Sequence, residues 1–306
     1  MTAMSSVLVH SSADAWRIEP LLDAPRPLDR RLRGGVLPPP LARRYSADLA
    51  IALRRDRPTI VSNFVSTLDG VIAFDTLGQS GGREVSGGFA PDRFLMGLLR
   101  ATADAVLVGA GTVRSGGRHV WTPGHVHPSS TAAFATWRRH LGLLAPQPTT
   151  VIVTASGRMD PGHPGLHRSN VPVLIVTTSA GADRLRRVAL PPTVEVAIAG
   201  DGGRIEADAL ISNLAERKLE LVVCEGGPTL FGSLIGAGVV DELFLTIAPQ
   251  IAGRMPGMPR LALVEGLGYE LGATPWAELG SVMRAGNHLF LRYRLTESAR
   301  HAGGPA

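Results

Sequence analysis

From residue 59 onward, short apolar runs alternate with segments whose apolar residues recur at helical spacing. The runs are rich in Val, Ile and Thr, as in Leu221-Val222-Val223-Cys224. Such runs indicate buried strands, and their alternation with helices is typical of a mostly parallel sheet that carries helices on its faces. The predicted strands are residues 59–65, 105–108, 150–154, 173–177, 194–199, 219–224 and 242–248, followed by an edge or hairpin strand at 287–294.

The segments between these strands carry helix signals at their first residues. Pro91 and Asp92 open one helix, because proline fits the first turn and an acid is favoured at the positive end of a helix. Pro228 opens another in the same way. The predicted helices are residues 93–101, 131–143, 207–217 and 229–235.

Two stretches lack this regular alternation. Residues 1–56 are rich in Pro and Arg, and we predict an N-terminal extension with a single helix at 41–53. Residues 114–148 are rich in Gly, Pro and His, which is typical of a long functional or mobile loop. The predicted organisation is therefore an extension (1–56), one α/β domain (57–298) and a disordered tail (299–306).

The composition excludes several kinds of chemistry. The chain of 306 residues has a formal net charge of +5, and Lys218 is its only lysine. Lys218 lies at the polar end of a predicted helix, so a Schiff-base lysine is not expected, and the GKS or GKT of a Walker-type phosphate loop is absent. Cys224 is the only cysteine, which excludes a disulfide framework and a cysteine zinc site within one chain.

Other functional classes also lack support. Aromatic residues make up only 5% of the chain, too few for a nucleic-acid stacking surface. His163 and His167 are four residues apart, but Pro164 and Gly165 lie between them and break a helix, so no metal site is predicted. Residues 1–16 do not resemble a secretory signal, and no stretch has the length of a membrane span. We expect a cytoplasmic protein with a small-molecule substrate and with neither nucleic-acid nor membrane partners.

Three predicted strands end in clusters of glycine or hydroxyl residues. In an open parallel sheet, ligands bind at the carboxyl ends of the strands, where bare glycines allow close contact and helix starts bind anions. The hydroxyls of Thr154 and Ser156, with the forked cation of Arg158, suit a phosphate monoester such as the 2′-phosphate of NADP. The three clusters are Val108-Gly109-Ala110-Gly111-Thr112, Thr154-Ala155-Ser156-Gly157-Arg158 and Gly226-Gly227-Pro228-Thr229.

Each cluster alone is equally compatible with a structural turn. Gly109 and Gly111 do not complete the GxGxxG dinucleotide fingerprint, because Arg114 stands where the third glycine belongs. Glu225, just before the paired glycines, is a candidate acid or polarising group and equally a candidate helix cap. The coincidence of the three clusters favours a dinucleotide site.

Short motifs along the chain match those of one enzyme family. They are Ser66-Thr67-Leu68-Asp69-Gly70, Leu99-Arg100-Ala101, Asp104-Ala105-Val106-Leu107-Val108-Gly109, Thr112-Val113, Glu225-Gly226-Gly227-Pro228-Thr229-Leu230, Val240-Asp241-Glu242-Leu243 and Ile247-Ala248-Pro249, in that order. With them, residues 57–295 resemble the reductase (C-terminal) domain of the bacterial riboflavin-biosynthesis deaminase-reductases, most closely the stand-alone actinobacterial form. The zinc deaminase domain of that family has no counterpart here, because a single cysteine cannot build its metal site.

The resemblance implies a dihydrofolate-reductase-like, three-layer α/β fold with a central, mostly parallel mixed sheet flanked by helices, and a homodimer. It implies NADPH-dependent reduction of 5-amino-6-(5-phosphoribosylamino)uracil to its ribityl form. Glu225, as the catalytic residue, and Arg100 would face the substrate, and Asn63 and Asp69 would belong to the same side. The implied cofactor-binding residues are Ser66, Gly109, Gly111, Thr112, Thr154, Ser156, Arg158, Gly226, Gly227, Pro228, Thr229 and Leu230.

Two positions depart from the family pattern on the substrate side. Asn63 stands where the riboflavin reductases have a lysine, and Ser115-Gly116-Gly117-Arg118 replaces an Asp-Asp-Pro sequence. An acidic pair thus gives way to glycines and a cation, which changes the charge of the pocket. Two alternatives therefore stay open: a reductase of dihydrofolate or a related pterin, and a non-catalytic NADP-binding protein.

Overall fold

Twelve strands and nine α-helices follow one another in the computed structural model, which describes residues 16–23, 31–74 and 82–295. The strands are β1 (Glu19–Asp23), β2 (Leu32–Gly35), β3 (Leu49–Ala52), β4 (Thr59–Ser66), β5 (Ala105–Gly109), β6 (Thr149–Thr154), β7 (Val173–Thr177), β8 (Val194–Ile198), β9 (Leu221–Cys224), β10 (Val240–Ile247), β11 (Glu278–Ala285) and β12 (His288–Arg294). The helices are α1 (Pro39–Ala42), α2 (Gly82–Ser86), α3 (Ala90–Thr102), α4 (Ala110–Ser115), α5 (Pro123–Val126), α6 (Thr131–His140), α7 (Ser179–Leu185), α8 (Ala207–Glu216) and α9 (Pro228–Gly236).

Ten of the strands form one sheet, in the order β1-β11-β12-β10-β4-β9-β5-β6-β7-β8. The strands from β10 to β8 run parallel to one another, and β12, β11 and β1 are added antiparallel at the β10 side. Every predicted strand is present, and the strand predicted at 287–294 is the hairpin strand β12 rather than an edge. The predicted fold class, a mostly parallel mixed sheet flanked by helices, is confirmed.

Helices cover both faces of this sheet. On one face, Phe94 and Leu98 of α3 pack with Val61 of β4 and Val223 of β9. On the opposite face, α8 and α9 pack against β5, β6 and β9. Because strand side chains alternate between the two faces, Asn63 lies on the same face of β4 as Val61, toward α3.

The helix predicted at 41–53 is wrong. Helix α1 ends at Ala42, and β3 pairs with β2 in a separate two-stranded antiparallel sheet. Leu49, Ile51 and Leu53 are buried in the core beneath α3, and this inward spacing has the period of a strand rather than of a helix. The described part of the predicted extension thus packs on the same core as α3, while the predicted disordered tail (299–306) lies outside the described residues.

The segment 114–148 contains more helix than predicted. The helix predicted at 131–143 is present as α6, and α4 and α5 precede it. Phe134 and Trp137 of α6 are almost fully buried against α3 and the N-terminal segment, so packing holds this part of the predicted loop in place. Within the described ranges, no helix is both long and apolar enough to span a bilayer.

Candidate active site

The carboxyl ends of β4, β9, β5 and β6 lie side by side at one edge of the sheet. They end at Ser66, Cys224, Gly109 and Thr154. Adjacent strands are separated by about 4.8 Å, so the ends of β9 and β6 lie about 10 Å apart. The three glycine and hydroxyl clusters found in the sequence therefore form one row.

The glycines that follow β5 and β9 meet at a close junction. A methyl group on Gly226 would lie 2.5 Å from Leu230 Cδ2 and 3.2 Å from the backbone nitrogen of Gly109. A methyl group on Gly227 would lie 3.2 Å from the hydroxyl oxygen of Thr112. Packing within the protein therefore already accounts for the missing side chain at Gly226.

Gly109 and Gly111 have no such internal explanation. A methyl group on either would meet no atom closer than 3.8 Å. Gly109 has φ −81°, and Gly111 is not among the residues with positive φ, so neither backbone conformation requires glycine. Two side chains are thus missing where the protein itself has room for them, which indicates that something outside the chain approaches this backbone.

Two helices begin at this junction without a side-chain cap. Gly109 is the N-cap of α4 and Gly227 is the N-cap of α9, so neither N-cap residue has a side chain to accept a hydrogen bond from the first turn. Pro228, Thr229 and Leu230 form the first turn of α9. The uncapped N–H groups of a nine-residue helix such as α9 point toward the site and favour an anion there.

The end of β6 contributes hydroxyls and an arginine. Thr154 is buried, and its carbonyl oxygen accepts a 2.6 Å hydrogen bond from the Thr177 hydroxyl. The Ser156 hydroxyl accepts one from the backbone N–H of Arg158 at 3.3 Å. The Arg158 side chain is exposed, and among the described residues its guanidinium has no hydrogen-bond or ion-pair partner. An exposed guanidinium of this kind is available to a phosphate.

Glu225 and Arg100 form a buried, bidentate ion pair. Arg100 Nε donates to Glu225 Oε1 at 2.8 Å, and Nη2 donates to Oε2 at 2.6 Å. The two side chains are only 1% and 7% exposed. Arg100 Nη1 also donates to the carbonyl oxygen of Thr122 at 3.1 Å. Glu225 therefore does not cap α9, and Arg100 is held by protein groups on both sides of its guanidinium.

His119 completes the surroundings of this pair. Its Nε2 lies 3.1 Å from Arg100 Nη2. Burial and the Arg100 charge lower the pKa of His119 to about 2, so the imidazole is neutral and Nε2 accepts this hydrogen bond. His119 follows the glycines that replace the family's acidic pair, and no feature of the sequence predicted its contact with Arg100.

The remaining substrate-side predictions occupy different environments. Asn63 is 7% exposed on the α3 side of β4. Asp69 accepts hydrogen bonds from the Thr67 hydroxyl at 2.6 Å and from the backbone N–H groups of Ala252 and Gly253 at 3.0 and 2.7 Å. Its carboxylate thus fastens the turn after β4 to the segment after β10. Ser66 is buried, and its hydroxyl donates to the carbonyl oxygen of Thr67 at 2.8 Å.

Asp92 is a polar residue of the site that the sequence did not single out. It was predicted only as an acid that opens a helix, yet it is 5% exposed in the first turn of α3. Burial raises its pKa to about 6, and Glu225 is close enough to contribute to that rise. Ser86 and Thr246, which also face Asp92, are buried too. A helix-opening acid is usually solvated, so no pattern in the sequence would have distinguished this one.

The family model of the RibD C-terminal domain matches residues 58–273. The chain belongs to the RibD C-terminal domain family. It is 31% identical over 214 residues to the 2,5-diamino-6-ribosylamino-4(3H)-pyrimidinone 5′-phosphate reductase of Methanothermobacter thermautotrophicus, covering 70% of this chain and 87% of that protein. It is 25% identical over 178 residues to the riboflavin biosynthesis protein RibD of Escherichia coli, covering 54% of this chain and 44% of that one.

Solved structures agree on the fold. A pyrimidine reductase-like protein from Corynebacterium diphtheriae superposes with a TM-score of 0.59 at 22% identity, covering 78% of this chain and 92% of that chain. A deaminase/5-amino-6-(5-phosphoribosylamino)uracil reductase from Thermotoga maritima gives 0.57 at 22% identity, covering 78% and 57%. The family resemblance predicted from the motifs is confirmed.

Proposed function

We propose that this protein is an NADPH-dependent reductase of a ribosylaminopyrimidine 5′-phosphate, converting the ribosyl group into a ribityl group. The observation that carries the proposal is the bare backbone at Gly109 and Gly111, which neither φ nor packing explains, beside the buried pair of Glu225 and Arg100. The family to which the chain belongs, and the reductases among its relatives, support an oxidoreductase of the riboflavin pathway.

The cofactor half of the site fits a phosphorylated dinucleotide. The pyrophosphate would lie at the uncapped start of α9, beside Gly109, Gly227 and Thr112. The 2′-phosphate of the adenosine would meet Ser156 and Arg158, two strands away, because an unpaired guanidinium favours a phosphate. When bound, NADPH supplies the hydride, and the chain supplies orientation and charge.

On the substrate side, Glu225 is the group that we propose faces the pyrimidine ribose. Arg100 is fully buried and bonded on both edges of its guanidinium, so its role is to hold Glu225 in one orientation. Asn63 lies one residue beyond the last paired position of β4 and β9, Ser62 and Cys224, and therefore beside Glu225 on the same face. An amide in place of a lysine there leaves the pocket with hydrogen-bonding capacity and no added charge.

We further propose that two copies of the chain associate through the outer face of β10, β12 and β11. Leu289 of β12 is 36% exposed, and Leu245, Ile247 and Leu291 are only partly buried. They lie opposite the buried face that carries Phe244 and Phe290. Sedimentation should give the mass of a dimer for the wild type and of a monomer for Leu289→Arg with Leu291→Arg. A dimer that survives both charges would contradict this interface.

The activity is tested by following NADPH oxidation with each ribosylaminopyrimidine phosphate, deaminated or not, and with dihydrofolate. We expect turnover of one of the pyrimidines and a preference for NADPH over NADH. Glu225→Gln should turn over neither pyrimidine. Glu270→Gln, an exposed glutamate outside the sheet, is the matched control. Faster turnover of dihydrofolate would favour the pterin reductase instead, and NADPH binding without any turnover would favour the binding protein.

A further inference from the structure

A second carboxyl group, Asp92, is buried between α3 and the sheet. It is in the first turn of α3 and only 5% exposed. Within the described ranges it forms no ion pair, unlike Glu225, which is held by Arg100. A buried carboxyl group without a cation is costly to ionise, so its presence needs a reason beyond the start of a helix.

The side chains around Asp92 come from three other elements. Phe244 of β10 packs beneath α3. Thr246 lies on the same face of β10, two residues closer to the carboxyl end of the strand. Ser86 comes from the end of α2. Both hydroxyls lie close enough to Asp92 to lower its pKa, against the larger effect of burial. Among the described residues, Thr246 Oγ1 nevertheless has no hydrogen-bond partner and is buried, so it can still bind a ligand or a water.

The two buried carboxyl groups, Asp92 and Glu225, therefore have different surroundings. Both oxygens of Glu225 accept hydrogen bonds from a guanidinium, and this arrangement keeps a carboxylate. Burial raises the pKa of Asp92 to about 6, and the nearby Glu225 charge adds to the rise. Pairs of acids whose environments differ in this way commonly divide the roles of proton donor and charge stabiliser.

We infer that Asp92 is a further catalytic residue, the proton donor of the reduction, while Glu225 orients the substrate. The inference rests on the proposed function. In the open-chain imine form of the ribosylamine, hydride adds to the carbon of the C=N bond and the π electrons move to nitrogen. That nitrogen takes the carboxyl proton of Asp92, giving the ribityl amine. The nicotinamide is oxidised, the sugar carbon is reduced, and the Asp92 carboxylate regains a proton from water.

Other charged groups that face Asp92 are few. Glu225 approaches from the end of β9 and Arg93 from its own helix. From β12, His288 contacts the carbonyl oxygen of Ser86 at 3.2 Å. Burial lowers the pKa of His288, so its imidazole is uncharged at pH 7 and above. The hydroxyls of Ser86 and Thr246 do not titrate. A falling limb of activity between pH 6 and 8 would therefore belong to Asp92.

The test compares the wild type with Asp92→Asn, which keeps the size and polarity of the side chain and removes the proton. We expect kcat to fall about 100-fold or more, KM for NADPH to stay unchanged, and the falling limb of the pH profile to disappear. Thr246→Val should shift that limb to higher pH, because it removes a group that lowers the pKa. Asp208→Asn, the exposed first-turn acid of α8, is the matched control.

Stability provides a readout that needs neither cofactor nor substrate. Because the folded-state pKa lies above the unfolded value, wild-type stability falls as the pH rises from about 4 to 6, and Asp92→Asn lacks this loss. The melting temperature of the variant should therefore gain on that of the wild type across this window. A variant with kcat within about threefold of the wild type and the same falling limb would overturn the inference. A wild type that reduces no ribosylaminopyrimidine would overturn the proposed function, and this inference with it.

Discussion

Replacing Arg100 with Ala leaves the Glu225 carboxylate buried without its cation. The guanidinium supplies both hydrogen bonds to Glu225, one to the carbonyl oxygen of Thr122 and one to His119 Nε2. The change therefore removes the donor of these four acceptors, and of the longer contacts to the Val120 carbonyl oxygen and the Met96 sulfur, where Arg100 is only 1% exposed.

Breaking a buried ion pair by removing one partner costs about 3–5 kcal/mol. We expect the free energy of unfolding of Arg100→Ala to fall by about that amount. Arg100→Lys keeps the charge but cannot bind both carboxylate oxygens in a plane, so its loss should be intermediate. Both variants should lose activity, because Glu225 is no longer held in one orientation.

Urea denaturation of the three proteins at neutral pH measures the effect as a shift of the midpoint at constant m. Arg139→Ala is the control, because Arg139 is exposed on α6 and surface changes usually cost less than about 0.5 kcal/mol. A loss below about 1 kcal/mol for Arg100→Ala would show that Glu225 finds water or another donor, and the account of a rigidly held carboxylate would be refuted.

Four further substitutions separate folding from binding at the same edge of the sheet. Gly109→Ala should melt as the wild type does and bind NADPH at least about tenfold more weakly. Gly226→Ala should lower the melting temperature, because its methyl group would clash with Leu230 of α9 and the backbone nitrogen of Gly109. Equal melting temperatures for the two variants would contradict this packing. Arg158→Gln should raise KM for NADPH about tenfold and leave KM for NADH unchanged, and an equal effect on both cofactors would exclude a 2′-phosphate contact. Hydrogen bonds from Thr67 and two backbone N–H groups hold the pKa of Asp69 below its usual range, so the melting temperature of Asp69→Asn should lie below that of the wild type at pH 7 and approach it as the pH falls below about 4.

The parallel part of the sheet could be predicted because its strands are apolar on both faces. Runs such as Val106-Leu107-Val108 bury every residue, and few other structures have that pattern. Strand β11, which was missed, exposes Glu278, Leu279 and Arg284 and contains Gly280, so neither a continuous run nor regular alternation marks it. Residues 41–53 were mistaken for a helix because the partner of β3 lies in another part of the Arg-rich segment, which no local pattern reveals.

The site was predictable as a set of strand ends and not as a set of contacts. The family motifs implied that Glu225 and Arg100 both face the substrate. Their hydrogen bonds join residues 125 positions apart, and these contacts depend on how α3 packs on β9. Gly226 was expected to be bare for a dinucleotide, which stays a prediction, and the structure adds an internal packing reason for it. Asp92 was missed because its burial depends on α2 and β10, which meet α3 only in the folded chain.

We propose that hydride passes from NADPH to the ribose carbon of a ribosylaminopyrimidine phosphate at this edge of the sheet. The most direct measurement uses NADPH deuterated at C4 of the nicotinamide, each face in turn, with product analysis by mass spectrometry and NMR. We expect deuterium at the first carbon of the ribityl chain from only one of the two nicotinamide faces. Reactions of Glu225→Gln should give no deuterated product. Recovery of the unreduced pyrimidine, while NADPH binds with its usual affinity, would contradict it.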